Sequence, residues 1–137
     1  MRKIFIDTNV MLDLLLEREQ WVDDAARLFS MADRKEIELL CCSLSFSTAI
    51  YLMQRLKYSR KEIVRKLTIV KSLCTVATVD GAVIDRVLQS DFADLEDAIQ
   101  HYSALAGGAE VIVTRNKKDY TSAGIPVLEP GEYLAER

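Results

Sequence analysis

Apolar residues recur along the chain in two rhythms. Short dense runs occupy residues 3–7, 37–43, 75–79, 110–114 and 126–128, rich in Ile, Val, Leu and Cys and without clean alternation. Such runs predict strands buried on both faces, as in a parallel sheet. The stretches between them are longer and carry helical spacing. Over the roughly thirty residues after the first run, Val10, Leu14 and Leu15 are followed by Trp21, Ala25, Leu28 and Phe29. Two helices are expected between the second and third strands, one with a stripe of Phe46, Ala49, Ile50, Met53 and Leu56, the other with Ile63, Leu67 and Val70.

Local punctuation supports this division. Ser59 with Glu62 three residues later reads as a capping box. Asp80 suits the N-cap of a helix carrying Val83, Ile84, Val87 and Leu88, and Asp94 that of the next. In that next helix Leu95, Ile99, Tyr102 and Ala106 form the expected apolar stripe, with Asp97 off it and His101 on the helix surface, before Gly107-Gly108 ends it. Pro130 fits the first turn of a short helix through Tyr133 and Leu134. No repeat or linker interrupts the β-α-β alternation. The expectation is an α/β fold, a three-layer α/β/α sandwich around a central, mainly parallel sheet of about five strands, with residues 1–137 as one domain.

Composition narrows the class. Half of the 137 residues are apolar, with five Gly and two Pro, which marks a globular chain. No apolar run is long enough for a membrane span, and Asp7 interrupts the N-terminal run before a signal-peptide core forms, so a cytoplasmic location is expected. Cys41, Cys42 and Cys74 are odd in number and lack C-x-x-C spacing, which favours buried free thiols over disulfides or zinc. The single histidine excludes a multi-His metal centre. A net charge of −3 does not announce a nucleic-acid binder, but the charge is segregated. Residues 55–71 hold Arg55, Lys57, Arg60, Lys61, Arg65, Lys66 and Lys71 against Glu62 alone; residues 80–97 hold six acids against Arg86. One face can attract a polyanion and the other can concentrate cations, or both are solvated helix surfaces.

The candidate chemistry lies at strand ends. Lys3-Ile4-Phe5-Ile6-Asp7-Thr8-Asn9 is an apolar run that stops on a carboxylate. Thr114 ends the fourth run, with Asn116 and Asp119 just beyond, and Glu96-Asp97 opens the helix before it. In parallel sheets ligands collect beyond the carboxyl ends of the strands, where these residues would meet. Carboxylates gathered at one point repel unless a cation neutralises them, and hard Mg²⁺ or Mn²⁺ suits an all-oxygen set. The implied chemistry is metal-activated hydrolysis of a phosphodiester. Each residue also has a plainer reading: Asp7, Thr8 or Asn9 as a helix cap, Asp97 and Glu96 as dipole partners, Asn116 and Asp119 as turn residues.

With these motifs in hand the chain resembles the PIN-domain family, which includes the ribonuclease toxins of bacterial toxin–antitoxin pairs. The resemblance rests on Phe5-Ile6-Asp7-Thr8-Asn9-Val10, Asp94-Leu95-Glu96-Asp97-Ala98-Ile99-Gln100, Val113-Thr114-Arg115-Asn116-Lys117-Lys118-Asp119-Tyr120 and the closing Ile125-Pro126-Val127-Leu128. It implies RNA cleavage with Mg²⁺ or Mn²⁺ held by Asp7, Asp97 and Asp119, with Asn116 and Glu96 in the catalytic set. It places Asn9, Thr48, Thr114 and Arg115 at the substrate, and implies a homodimer and an antitoxin partner. Two positions depart from the family pattern: Thr48 stands where a glutamate is usual, and Asn116 where many members carry aspartate. Glu96 is the residue placed to compensate. The alternative is a catalytically weakened PIN-fold protein that binds RNA or a protein. A haloacid-dehalogenase-like phosphatase fits less well, because Asn9 stands where its second aspartate belongs. A receiver domain lacks its acidic pair after Asp7.

Overall fold

The computed structural model describes residues 1–120 and 124–136. In chain order its elements are β1 (Arg2–Ile6), α1 (Thr8–Leu15), α2 (Val22–Asp33), β2 (Ile37–Cys42), α3 (Ser43–Arg55), α4 (Arg60–Leu73), β3 (Cys74–Ala77), α5 (Gly81–Leu88), α6 (Leu95–Ala106), β4 (Val111–Val113), a 3-10 turn (Lys117–Tyr120), β5 (Val127–Leu128) and α7 (Pro130–Ala135). All strand pairings are parallel, in the order β3-β2-β1-β4-β5. Each apolar run became a strand, with its ends shifted slightly.

Alternation along β1 divides the core between two faces. Ile4 and Ile6 pack into a cluster with Val10, Met11, Leu28, Met53, Leu67 and Tyr133, so α1 to α4 and α7 cover one side of the sheet. Phe5 points the other way, to Leu40, Ala104, Ile112 and Tyr120, under α6. Helix α5 packs against α6 through Val83, Val87 and Ala98. Each large side chain buried in this way contributes about 1.5–3 kcal/mol. The chain runs from β1 to β2 to β3 in one direction and then returns to β4 on the other side of β1. That reversal creates a switch point between the carboxyl ends of β1 and β4.

The caps form as expected. The Glu62 N–H donates to Ser59 Oγ at 3.1 Å while the Ser59 N–H donates to Glu62 Oε1 at 3.3 Å. Asp80 accepts from the Val83 N–H, and Asp94 from those of Glu96 and Asp97. The long helical pattern after β1 breaks at Glu17, whose φ of +51° reverses the chain between α1 and α2.

Helix α6 corrects the expected stripe. Its buried residues are Ala98, Gln100, His101, Ser103 and Ala104, whereas Leu95 is exposed. The helix lies between the sheet and α5, so it needs small side chains against β2 and tolerates polar ones inside. At its end, a Cβ on Gly107 would come within 2.8 Å of Leu40 Cδ2, which explains the glycine by close approach rather than by helix termination alone. His101, expected on the surface, is buried beside Phe92 and Tyr102, with ring centroids 5.0 and 4.7 Å away. Burial, with Arg86 adding to it, lowers its pKa, so it sits there as a neutral ring. In α3 only part of the stripe is buried: Ala49 and Met53 are inside, while Ile50 and Leu56 face outward. Cys41 and Cys42 are buried, Cys74 is half-buried, and all three are free thiols, with the Cys41 and Cys74 sulfurs in hydrogen-bond contact. Among the described residues no helix is long and apolar enough to cross a membrane.

Candidate active site

Asp7 follows the last residue of β1 and stands at the N-cap position of α1, yet its side chain makes no capping hydrogen bond. It is directed instead across the switch point. The Thr114 hydroxyl donates to Asp7 Oδ2 at 2.8 Å, and the Asn116 N–H donates in turn to Thr114 Oγ1 at 3.1 Å. The backbone closes the same seam, with the Asp7 N–H donating to the Val113 carbonyl at 3.0 Å. Neighbouring strand ends thus fix the position of a carboxylate that is only 6 % exposed.

This carboxylate has no cation beside it among the described residues. Burial raises its pKa; the Thr114 hydroxyl, the Thr8 amide and Tyr120 oppose that shift, and Asp119 adds to it. Asp97, in the first turn of α6, is pushed up to about 7, first by burial and then by Asp94, Asp7, Asp119 and Glu96. The buried Tyr120 hydroxyl approaches Asp7 closely enough to affect its ionisation but meets no hydrogen-bond geometry. Burial and the charges of Asp7, Asp97 and Asp119 drive the Tyr120 pKa upward, which keeps the phenol protonated. Asp7, Asp97 and Asp119 therefore feel one another, and negative charge accumulates at the rim.

Two clefts meet at Asp97. The larger, about 420 Å³, is lined by Asp7, Thr8, Asn9, Leu12, Arg18, Leu44, Thr48, Leu52, Glu96, Asp97, Ile99, Gln100 and Asn116. The smaller, about 210 Å³, holds Asp119 with Asp91, Asp94, Asp97 and Lys118. Of the residues singled out in the sequence, Asp7, Asn9, Thr48, Glu96, Asp97 and Asn116 share the larger cleft, and Asp119 joins them only through Asp97. Thr48 is exposed and its hydroxyl donates back to the Leu44 carbonyl at 3.3 Å. Thr114 is fully buried and reaches the cleft only through Asp7. Arg115 lies outside both clefts: its Nε and Nη2 donate to Asp13 Oδ2 and Oδ1 at 2.9 and 3.2 Å, and its guanidinium stacks 3.7 Å from the Trp21 ring centroid.

Four residues with clear parts in this region did not stand out in the sequence. Asp13 is the buried partner of Arg115, and its signal was a lone charge inside Val10-Met11-Leu12-Asp13-Leu14-Leu15-Leu16. Arg18 reaches back to Asn9 and Asp13. Gln100 Nε2 donates to Thr8 Oγ1 at 2.9 Å, Thr8 shares a 2.6 Å hydrogen bond with Ser45, and Gln100 Oε1 is buried without a partner.

The donor set suits a hard divalent ion. It consists of carboxylate, hydroxyl and amide oxygens, with excess negative charge that a cation would relieve. Among the described residues no three acidic, His or Cys side chains converge into a ready cage. The fit is therefore to an open site where the ion keeps part of its water, as Mg²⁺ does.

A parallel α/β sheet with carboxylates over its switch point defines a class of ligand-holding α/β protein. The chain belongs to the PIN domain family, whose model matches residues 3–118. It is 24% identical over 136 residues to Ribonuclease VapC1 of Aquifex aeolicus (strain VF5), an alignment covering 96% of this chain and 92% of that protein. Its fold resembles that of VapBC2 from Rickettsia felis bound to a promoter DNA fragment, with a TM-score of 0.66 at 18% identity, covering 93% of this chain and 97% of that one. A toxin-antitoxin complex from Klebsiella pneumoniae gives a TM-score of 0.64 at 20% identity, with 93% and 97% coverage.

Proposed function

We propose that this chain is a metal-dependent endoribonuclease acting as the toxin of a toxin–antitoxin pair. The observation that carries the reading is the buried, uncompensated Asp7, locked by Thr114 at the switch point and facing Asp97 across an open cleft. The likeness to a ribonuclease and to toxin–antitoxin complexes supports it. Asp7 and Asp97 would hold Mg²⁺ or Mn²⁺, with Asp119 contributing charge from the adjoining cleft. When bound, the ion supplies a Lewis acid that makes water nucleophilic at neutral pH and offsets charge on the phosphate. Thr114 holds Asp7 in one orientation, and Tyr120 closes the base of the site as a protonated phenol. Asn116 and Glu96 face the same cleft as the reacting phosphodiester. Asn9 and Thr48 lie along its wall, where they can contact the RNA chain.

A protein antitoxin belongs to the same reading, as does a homodimer. An apolar groove of about 540 Å³ between α3 and α4, bordered by Phe46, Ile50, Ile63, Val64 and Leu67, offers a surface for either. The departures at Thr48 and Asn116 favour one second reading, a PIN-fold binding protein with weak catalysis. Calorimetric titration with Mn²⁺, combined with degradation of single-stranded RNA, separates the two. Wild type should bind the ion and cut, and Asp7→Asn should do neither. Wild type that neither binds Mn²⁺ nor degrades RNA at high Mn²⁺ defeats the nuclease reading.

A further inference from the structure

We infer that Arg18 anchors a phosphate of the RNA chain beside the carboxylate rim, held ready for it by Asp13 and Arg115. The inference rests on the ribonuclease reading above and assigns a substrate contact to a residue outside the acidic set. Among the described residues lining the larger cleft, Arg18 is the only cation, facing Asp7, Glu96 and Asp97.

Its placement follows from the backbone. Glu17 adopts a φ of +51°, a conformation unusual for a residue with a side chain. The turn lets the Arg18 N–H donate to the Asp13 carbonyl at 3.1 Å and sends the side chain back along α1. There one nitrogen, Nη1, does all the bonding: it lies 3.3 Å from Asn9 Oδ1 and 3.3 Å from Asp13 Oδ1.

Charge and geometry then leave Arg18 underused. Asp13 is already engaged by Arg115 through two closer contacts, 2.9 and 3.2 Å. Two guanidiniums against one carboxylate leave one positive charge over, and the 30 % exposed Arg18 is the member that reaches the cleft. Its Nε and Nη2 have no partner among the described residues, and a guanidinium presents such N–H groups in a fork matched to phosphate oxygens. A carboxylate-lined cleft would repel RNA without such a contact. A cation held against Asn9 receives a phosphate one step from the position Asp7 controls.

The test combines binding and cleavage. In EDTA, affinity for a short single-stranded RNA is measured by fluorescence anisotropy over a salt series, in an Asp7→Asn background, with and without R18Q or R18K. With Mn²⁺, steady-state cleavage is measured for wild type, R18Q and R18K. R18Q should raise KM about tenfold with kcat nearly unchanged, and should lower the slope of log affinity against log salt by about 0.7, the single-strand value for one phosphate contact. R18K, which keeps the charge but loses the fork, should recover the salt slope and part of the affinity. Unchanged KM and salt slope in R18Q would make Arg18 a structural partner of Asp13 and overturn the inference. Wild type that binds RNA in an Arg18-dependent way without cutting it would instead defeat the nuclease reading and leave the phosphate contact standing. Absence of any RNA binding would defeat both.

Discussion

Asp7 and Asp13 lie six positions apart, at the start of α1 and near its end. Both are buried, 6 % and 1 % exposed, and their surroundings are opposite. Asp13 meets two guanidiniums, one of them bidentate and stacked on Trp21. Asp7 meets a hydroxyl, an amide and further acids, and its pKa rises because nothing positive offsets its burial. A buried charge persists only when it is paired or when it is kept for a ligand. Asp13 closes the structure, and Asp7 leaves it open at a defined point. Only Asp7 can give a metal cation something to do.

Substitution of each aspartate by asparagine is the sharpest way to break this contrast. Asp7→Asn should abolish cleavage by about a thousandfold or more, since several kcal/mol of transition-state stabilisation are lost with the ion. The same change should leave urea stability equal or slightly higher, because the amide still accepts from Thr114 and carries no desolvated charge. Asp13→Asn should instead lose about 3–5 kcal/mol of stability, because two partly buried guanidiniums then face an amide. It should reach cleavage only through Arg18, as a rise in KM. Equal destabilisation by both variants would show that Asp7 is structural, and the contrast would fail.

A smaller effect is expected from pH. Asp97 is pushed up to about 7 from an ordinary value of 3.8, and Asp7 is shifted in the same direction. Between about pH 4 and pH 7 the folded state keeps a proton that the unfolded chain has released. Stability without divalent ions should therefore fall as pH rises through that window and level off above it. Asp97→Asn should flatten the fall, with the part due to Asp7 remaining. Mn²⁺ should restore stability most at the high end, with proton release visible as a buffer-dependent calorimetric heat near pH 7. Thermal melts in buffers from acidic to neutral, with and without Mn²⁺, provide the check. A pH slope identical in wild type and Asp97→Asn would remove Asp97 from the open site.

The two regions were unequally legible in the sequence, for physical reasons. Strands of a two-sided sheet are predominantly apolar, so all five were visible as runs despite Lys3, Glu38 and Thr75, and caps such as Ser59–Glu62 depend on residues three apart. The Asp7–Thr114 contact joins residues 107 positions apart, yet it was within reach because parallel strands place their carboxyl ends on one rim. Asp119 was visible by the same rule, just past the end of the fourth run, and the family resemblance added its role toward a metal. The Asp13–Arg115 pair spans 102 positions and belongs to no strand-end rule, so Arg115 read as a substrate contact. The inner face of α6 was misread for a related reason. Periodicity favours Leu95 and Ile99, but a helix wedged between the sheet and α5 buries whichever small or polar residues fit, here Ala98, Gln100, His101, Ser103 and Ala104.

The smallest effect concerns what keeps the closed region closed. Trp21 is the only tryptophan, and its ring covers the guanidinium that pairs with Asp13. Stacking of this kind is worth about 0.5–2 kcal/mol, more where water is excluded. Trp21→Leu should therefore lose about 1 kcal/mol in urea denaturation, and a double-mutant cycle with Arg115→Lys should assign most of that loss to the pair. Cleavage should stay within about twofold of wild type, because Arg115 lies outside both clefts and its two contacts to Asp13 do not depend on the ring. A large loss of activity at unchanged stability would mean that the Asp13 pair and the Asp7 rim are coupled through α1. In that case the closed aspartate would itself be part of what positions the open one.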